Sequence, residues 1–447
     1  MVMESTLFFL LPFLAFLLLL PAAPTSLFPK EALPTKSGYL PINATTSNSS
    51  AALFYAYYEA QHPLTPISRT PLLVWLQGGP GCSSMLGNLF ELGPWLVATD
   101  EPTLRSNPAA WNRRFGLLFI DSPLGTGFST AANPDDIPRD QTTVARHLWG
   151  ALQSFLSSNS SFKTRPLYLT GESYAGKYIP AAGYYILQQN SQLPRPRGIN
   201  LKGVAIGNGL THPVAQVATH AASAYFTGLI NERQRGYLEE LQSIAMKLTL
   251  EEKWSEASDA RGRVLQRLQN MTGLATLYDL SKKKPYESDM VGVLLNKDEV
   301  KEALGVAKGV VWEECGDTVG SVLHEDVMKS VKFMAEELVR KSRVLLYQGI
   351  YDLRDGVVST EAWMREMEWE GLEDFLRAER KVWKVNGELA GYVQRWGSLS
   401  HVVVSGAGHL VPADQGQSSQ AMIEDWVLEK GLFSEPGKEA PVLRRAH

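Results

Sequence analysis

Residues 171–176, which read Gly-Glu-Ser-Tyr-Ala-Gly, constrain the fold of this chain more than any other segment. The apolar residues 166–170 precede this motif, and a stretch that can be helical follows it. A strand, a sharp turn and a helix form the setting in which G-x-S-x-G presents its serine at a strand end. Glycine suits such a strained, closely packed turn because it has no Cβ. The motif predicts an exposed nucleophile, Ser173, although the bare pattern also arises by chance.

Short apolar runs alternate with loops and helical stretches between residues 37 and 210. Such runs, each ended by Gly, Asp or Asn, are typical of buried strands. We predict strands at residues 72–76, 117–120, 167–169 and 204–206, with helices around 142–156 and 178–189. This alternation favours an α/β fold with a mixed, mostly parallel central sheet covered by helices.

The sequence changes character after His212 and stays polar, charged and helical in period to about residue 280. Core-like patterns return with a predicted helix at 325–341, a strand at 343–347, a hairpin around Asn386-Gly387 and a strand at 400–404. We therefore predict a core in two parts, residues 26–212 and 325–435, interrupted by a mostly helical insertion at 213–324. A tail follows at 436–447, and the lysines at 282–284 suggest an exposed connection open to proteolysis.

The N-terminus predicts a secretory signal peptide over residues 1–25. Residues 7–20 are almost unbroken Leu, Phe and Ala, which is too short to span a bilayer comfortably, and small residues follow. An uncleaved anchor is the alternative, because Glu4 precedes the apolar run and Lys and Arg do not. We expect the secretory route, with a secreted or vacuolar/lysosomal product and no membrane anchor after cleavage. Sequons for glycosylation occur at Asn43, Asn48, Asn159 and Asn270.

Composition and cysteine content limit the binding partners, metal sites and disulfides that the chain is expected to have. The formal net charge of −4 over 447 residues recommends neither nucleic acid nor an anionic membrane as a partner. The histidines show no metal-ligand spacing, so we expect no metal and no cofactor. In an oxidising compartment Cys82 and Cys315 suggest one disulfide, with two buried thiols as the alternative.

Two strand ends downstream of Ser173 carry an acid and a base. Asp352 follows the predicted strand 343–347, and His409 lies in a Gly-rich turn after the strand 400–404. His409 can act as general base to Ser173, and Asp352 can orient the imidazole. Ser, acid, His is also the order of the triad in α/β-hydrolases. Asp355 is a competitor for the acid, and a lone histidine after a strand is often structural.

Residues 75–84, Trp-Leu-Gln-Gly-Gly-Pro-Gly-Cys-Ser-Ser, follow the first predicted strand and provide a candidate oxyanion hole. Glycines let backbone N–H groups approach a substrate oxygen closely. We expect the Gly79 N–H to act with the N–H of Tyr174, the residue after the nucleophile. The alternative is a simple structural turn.

Five segments together resemble the signature segments of the serine carboxypeptidases, in the order of that family. They are residues 75–84, 91–94 (Glu-Leu-Gly-Pro), 171–176, 347–352 (Tyr-Gln-Gly-Ile-Tyr-Asp) and 407–412 (Ala-Gly-His-Leu-Val-Pro). The resemblance covers roughly residues 37–432. It implies an α/β-hydrolase with a helical insertion over the site, which removes C-terminal residues from peptides and proteins at acidic pH.

The resemblance also implies how a free C-terminus is bound. Glu91 and Glu172 would share a proton and, with Gln77 and Gly78, hold the substrate carboxylate. Two close carboxyls cannot both ionise cheaply, so one pKa should rise, and the protonated group can donate a hydrogen bond. By the same resemblance Cys82 and Cys315 form a bridge from the active-site loop to the insertion. Closing so long a loop contributes roughly 4–5 kcal/mol in the chain-entropy model.

Two departures from the family pattern carry expectations of their own. Many members have Asn where this chain has Gln77, so we expect altered specificity without loss of function. Typical members have more disulfides, which puts the stability and processing of the insertion in doubt.

An acyltransferase that uses sugar esters is the alternative enzyme, although its relatives tend to have Asp in place of Glu172. A non-catalytic binding or protective partner is the third reading, and a homodimer is left open.

Overall fold

The computed structural model describes residues 28–42, 51–194 and 197–434. The predicted signal peptide, the predicted tail at 436–447 and the sequons at Asn43 and Asn48 lie outside the described residues. Asn159 and Asn270, the other two sequon asparagines, are exposed.

The described residues form a ten-stranded sheet and a separate two-stranded one. The strands are β1 (Lys36–Pro41), β2 (Ala52–Tyr58), β3 (Leu72–Leu76), β4 (Trp95–Val97), β5 (Leu104–Ser106), β6 (Gly116–Ile120), β7 (Leu167–Glu172), β8 (Leu201–Gly207), β9 (Arg343–Gly349), β10 (Lys381–Val385), β11 (Glu388–Trp396) and β12 (Leu399–Val404).

Helices account for most of the remaining regular structure. They are α1 (Ser84–Leu86), α2 (Gln141–Ser157), α3 (Ala175–Gln192), α4 (Pro213–Val217), α5 (His220–Phe226), α6 (Glu232–Leu250), α7 (Trp254–Thr272), α8 (Asp289–Leu295), α9 (Asp298–Leu304), α10 (Asp317–Val322), α11 (Lys332–Lys341), α12 (Val357–Met364), α13 (Leu372–Arg377), α14 (Val411–Asp414) and α15 (Gly416–Leu428). A π-helical turn at Gly87–Leu92 continues α1.

The large sheet has the strand order β1-β2-β6-β3-β7-β8-β9-β12-β11-β10. The strands from β6 to β12 in this order pair in parallel, and the pairs at both edges are antiparallel. The prediction of an α/β fold with a mixed, mostly parallel sheet is therefore confirmed. The predicted hairpin joins β10 to β11, and both of its turn residues, Asn386 and Gly387, have positive φ as a type I′ turn requires.

The central strands are buried on both faces, which explains their unbroken apolar sequence. In β3, Val74 packs into one hydrophobic core together with residues of α2 and α3. Its neighbour Trp75 packs into a second core on the opposite face, together with residues of α15. Successive side chains of a strand point to opposite faces, so β3 ties the two cores together.

All residues between β8 and β9 are described, and they contain helices without a strand. Part of this segment has small hydrophobic cores of its own, one of which joins Leu238 of α6 to Leu268 of α7. The buried Arg261 of α7 forms an ion pair with Asp355, which follows β9. The helical segment thus rests on the end of the sheet where β9 stops. The boundaries at 213 and 324 stay predictions.

The prediction of one helix over residues 325–341 is wrong. The chain forms a 3-10 turn at His324–Asp326, and helix α11 begins only at Lys332. Two contacts explain the break. The Asp326 carboxylate is buried against Lys177, and the Val331 N–H donates to the Thr211 carbonyl, 3.0 Å away, instead of to its own segment. Tertiary contacts therefore override the helical pattern here.

Within the described residues, no helix combines the length and the hydropathy that crossing a bilayer requires.

Candidate active site

Strand β7 ends at Glu172 and helix α3 begins at Ala175, so Ser173 lies in the sharp turn between them. Its φ of 61° falls in the left-handed region, which costs a non-glycine residue free energy and is often found at active sites. The Ser173 N–H donates to the Gly207 carbonyl at 2.9 Å, which holds the turn in place. A Cβ at Gly171 would lie 2.2 Å from the Leu76 carbonyl oxygen, so this position requires glycine.

The loops after β9 and β12 bring Asp352 and His409 together. His409 Nδ1 lies 2.7 Å from Asp352 Oδ2, and both side chains are buried. The other carboxylate oxygen accepts the backbone N–H groups of Arg354 and Asp355, at 2.7 and 3.2 Å. These bonds fix the carboxylate, which in turn fixes the ring. The Asp355 side chain pairs with Arg261 instead, so the histidine's partner is Asp352.

Asn208 is a third residue of this group, which the sequence analysis missed. Its Nδ2 donates to Asp352 Oδ2 at 2.7 Å, and its Oδ1 accepts the Gly349 N–H at 3.3 Å. It follows β8 with a positive φ of 44°. Because parallel strands β8 and β9 are neighbours, their carboxyl ends place Asn208 beside the Asp352 loop. A Gly-Asn-Gly sequence after a predicted strand was the one available signal.

A segment of the helical insertion covers His409. The Tyr278 carbonyl accepts the His409 N–H at 2.7 Å, and the two rings lie 4.4 Å apart. On its other side the Tyr278 ring is 5.1 Å from the Arg354 guanidinium. His409 Nε2 is buried and has no hydrogen-bond partner among the described residues. Ser173 and His409 line the same cavity, of about 250 Å³, but His409 Nε2 makes no hydrogen bond to the Ser173 hydroxyl.

The loop after β3 packs directly against the nucleophile turn. A Cβ at Gly78 would lie 2.6 Å from the Tyr174 nitrogen, and Gly79 has a φ of 109° that glycine tolerates best. Among the described residues, the N–H groups of Gly79 and Tyr174 have no backbone acceptor. These two N–H groups on touching loops are therefore candidate donors to a developing oxyanion.

A disulfide joins the loop after β3 to the helical insertion, as the sequence analysis expected. Cys82 and Cys315 are bonded across a sequence separation of 233 residues. Backbone hydrogen bonds flank the bridge, from Ser83 N–H to the Glu314 carbonyl at 2.8 Å and from Gly316 N–H to the Gly81 carbonyl at 2.9 Å. The candidate oxyanion loop is thus held on both sides.

Two buried carboxyls lie beside the nucleophile, and one amide connects them. Gln77 Nε2 donates to Glu172 Oε1 at 2.8 Å and to Glu91 Oε1 at 3.1 Å. The Trp75 indole N–H donates to Gln77 Oε1 at 2.8 Å and so orients the amide. The second oxygen of each carboxyl is buried without a hydrogen-bond partner among the described residues. The Gln77 amide thus donates to both acids through its Nε2.

Both carboxyls favour the protonated form. Burial raises the pKa of Glu91 to about 8. Burial, and then the neighbouring Glu91 carboxyl, raise the pKa of Glu172 well above its ordinary value. Neither acid forms a salt bridge among the described residues, and burial outweighs the hydrogen bonds from Gln77, which lower both pKa values. At acidic pH this pair is neutral and can donate hydrogen bonds.

A second buried acid lies on the other side of Ser173. Asp326 Oδ2 accepts the Tyr174 hydroxyl at 2.5 Å and the Gln141 side-chain amide at 2.7 Å. It also lies 3.2 Å from Lys177 Nζ, which in addition donates to the Asp326 carbonyl. Burial lowers the pKa of Lys177 to about 8, against the opposing effect of Asp326. This group, unlike the Glu91–Glu172 pair, contains its own cation.

Across residues 28–42, 51–194 and 197–434, no three His, Cys, Asp or Glu side chains are grouped so that they could hold a metal ion.

Comparison with known proteins identifies the class to which this fold and site belong. The family model for serine carboxypeptidase matches residues 24–429. A solved structure of Kex1, a prohormone-processing carboxypeptidase from Saccharomyces cerevisiae, superposes with a TM-score of 0.79 at 26% identity, over 88% of this chain and 91% of that one. The class is that of the serine carboxypeptidase hydrolases with an α/β-hydrolase fold.

Similar sequences agree. Serine carboxypeptidase-like 50 of Arabidopsis thaliana is 57% identical over 431 residues, 96% of this chain and 95% of the relative. The venom serine carboxypeptidase of Apis mellifera is 35% identical over 90% of this chain and 86% of the relative. The probable serine carboxypeptidase CPVL of Homo sapiens is 33% identical, with 90% and 85% covered. This chain belongs to the serine carboxypeptidase family, as its five motifs predicted.

Proposed function

We propose that this protein releases C-terminal amino acids from peptides and proteins at acidic pH through a Ser173–Asp352–His409 triad. The observation that carries the proposal is the buried Glu91–Glu172 pair, which lies next to the nucleophile and has no cationic partner within the described part of the chain. An ionised pair would repel a substrate carboxylate. A neutral pair donates hydrogen bonds to it, so a C-terminus is bound where Ser173 can reach the last peptide bond.

In the proposed reaction, the triad first forms an acyl-enzyme and then hydrolyses it. Ser173 Oγ attacks the last peptide carbonyl while His409 Nε2 takes its proton. The N–H groups of Gly79 and Tyr174 stabilise the oxyanion. His409 then gives the proton to the leaving amine, and the C-terminal amino acid departs. Water, activated by the same imidazole, attacks the acyl-enzyme and regenerates Ser173. Asp352 accepts the hydrogen bond from His409 Nδ1 and holds the imidazolium.

The carboxyl pair sets the alkaline limit of the reaction. The Glu91–Glu172 pair must keep a proton to bind the substrate carboxylate, which favours lower pH. Since the pKa of Glu91 is raised to about 8, binding should weaken as pH rises toward that value. Turnover of peptides should therefore decline on the alkaline side through a rising KM.

The test uses the purified mature chain, N-blocked dipeptides at acidic pH and detection of the released amino acid. We expect release by the wild type and none above background by Ser173→Ala. If a serine-directed phosphonate labels Ser173 but no C-terminal residue is released, the proposal fails. Transfer of an acyl group from a glucose ester to an alcohol, without peptide release, would instead identify the acyltransferase. A biological effect unchanged in Ser173→Ala would identify a binding or protective partner.

We also propose that the protein travels the secretory route to an extracellular or vacuolar/lysosomal destination. The Cys82–Cys315 disulfide supports an oxidising compartment. The exposed side chains of Asn159 and Asn270 are open to glycosylation. Expression in a secreting host should yield a chain that starts near residue 26 and shifts in mass on glycosidase treatment. A chain that retains its first residues in the membrane would contradict this route.

A further inference from the structure

The cavity beside Ser173 extends past the reacting groups into a pocket with apolar walls. Phe90, Pro285 and Tyr286 are among its lining residues, and the rings of Phe90 and Tyr286 meet edge to face at 6.3 Å. Glu172, from the proposed carboxylate-binding pair, lines the same cavity. In the proposed reaction, the side chain of the departing C-terminal residue therefore enters between these walls.

One acidic side chain, Glu314, lines this pocket without belonging to the catalytic group. It is half-buried, and its Oε2 accepts the Ser288 hydroxyl at 2.6 Å. It lies close enough to Glu91 for its charge to contribute to that group's raised pKa. Its backbone is fixed by the bond to Ser83 and by the adjacent disulfide. The backbone of Glu314 is thus held in place near the proposed binding site for the substrate carboxylate.

Glu314 has no cation of its own among the described residues. The nearby Lys282 is engaged elsewhere, because its Nζ lies 3.0 Å from Asp414 Oδ1 and 4.5 Å from the centre of the Tyr286 ring. A carboxylate that is partly removed from water and lacks a partner gains free energy when a cationic ligand arrives.

We propose that Glu314 determines specificity for the C-terminal residue and selects Lys or Arg in the leaving position. The methylene groups of such a side chain pack along Phe90, Pro285 and Tyr286, while its cationic end reaches the carboxylate. Both parts of the pocket are then used by one amphipathic side chain. This inference rests on the proposed carboxypeptidase function and specifies its substrate class.

The first test leaves the enzyme unchanged and compares N-blocked dipeptides that end in Arg or in citrulline, its neutral isostere. A charge-assisted hydrogen bond is worth about 1.5–3 kcal/mol, so kcat/KM should favour Arg roughly tenfold or more. A ratio within twofold of one overturns the inference. No release from either peptide, nor from one ending in Leu, would instead overturn the carboxypeptidase function on which the inference rests.

The second test identifies the residue. Glu314→Gln keeps an oxygen that can accept the Ser288 hydroxyl and removes the charge, so the Arg-to-citrulline ratio should fall toward one while turnover of the Leu peptide is retained. Glu313→Gln is the matched control, because Glu313 is exposed and does not line the cavity. Its ratio should equal that of the wild type. A Glu314→Gln enzyme that is active on Leu and keeps the wild-type ratio would refute the role of Glu314.

Discussion

Two groups of buried acids flank Ser173, and they differ in how their charge is compensated. Glu172 precedes the nucleophile and pairs with Glu91, and both acids accept hydrogen bonds from one Gln77 amide. Asp326 contacts Tyr174, which follows the nucleophile, and has Lys177 as an ion-pair partner. The first group is neutral through raised pKa values, whereas the second is neutral through a buried lysine.

The way in which each group of acids is neutralised indicates its role, which is substrate binding for one group and positioning of Tyr174 for the other. A carboxyl pair that is neutralised by protons can donate those protons in hydrogen bonds to an anionic ligand, and Glu172 lines the cavity. An aspartate that is neutralised by Lys177 has its hydrogen bonds already satisfied inside the protein. In the proposed mechanism, the first group binds substrate and the second holds Tyr174, whose N–H faces the oxyanion.

The largest effect is expected from breaking the buried ion pair between Asp326 and Lys177. Asp326→Asn leaves Lys177 buried without its anion, which should lower the free energy of unfolding by about 3–5 kcal/mol. Denaturation in urea measures the loss. Asp259→Asn is the control, since Asp259 makes an exposed salt bridge to His324 and should change stability by less than about 1 kcal/mol.

Removing the lysine together with the aspartate sharpens that prediction. Asp326→Asn combined with Lys177→Met should recover a large part of the lost stability, because no unpaired charge remains buried. A double variant as unstable as Asp326→Asn alone would show that packing, and not charge compensation, explains the loss.

The Glu91–Glu172 pair should make the free energy of unfolding fall as pH rises. Acids whose pKa is lowered by folding have the opposite effect. A folded-state pKa above the unfolded value means that the folded protein binds more protons, so stability falls as pH rises between them. For Glu91 this window runs from about 4.5 to about 8. Each protonated carboxyl contributes a fall of about 1.4 kcal/mol per pH unit. Glu91→Gln combined with Glu172→Gln should flatten the decline between pH 5.5 and 6.5, as measured by urea unfolding at both values. An unchanged slope would contradict the raised pKa values.

The smallest effect is expected at the hydrogen bond between the Tyr174 hydroxyl and Asp326. Tyr174→Phe removes one hydrogen bond to Asp326, which should cost about 1.5 kcal/mol of stability. Because the Tyr174 N–H acts on the transition state, kcat should fall several-fold with little change in KM. Tyr184→Phe, a matched change within helix α3, should leave both constants unchanged. A rise in KM alone would place Tyr174 in substrate binding instead.

Local patterns in the sequence predicted the parts of this molecule that depend on neighbours in the chain. The strand before Ser173, the turn at Asn386-Gly387 and the strand ends that carry Asp352 and His409 all have such patterns. The disulfide and the carboxyl pair required the resemblance to a family, because their partners are remote in sequence. Cys82 and Cys315, for example, are 233 residues apart.

Contacts between remote strands and helices could not be predicted in this way. Asn208 reaches Asp352 only because β8 and β9 are neighbours in the sheet. Asp326 lies 152 residues after Tyr174 and was predicted to be part of a helix. Its burial against Lys177 breaks that helix, so an error in secondary structure and a missed positioning residue have the same physical cause.

The central claim is that a protonated carboxyl pair binds the substrate carboxylate, and one ratio tests it most directly. The ratio compares kcat/KM for an N-blocked dipeptide with kcat/KM for the same dipeptide carrying a C-terminal amide, from pH 5 to pH 9. Steps that involve only the peptide bond are common to both substrates, so their pH dependence cancels in the ratio. We predict that the preference for the free acid falls as pH rises toward and through about 8, the pKa of Glu91. A ratio that stays constant or rises over this range would contradict the account.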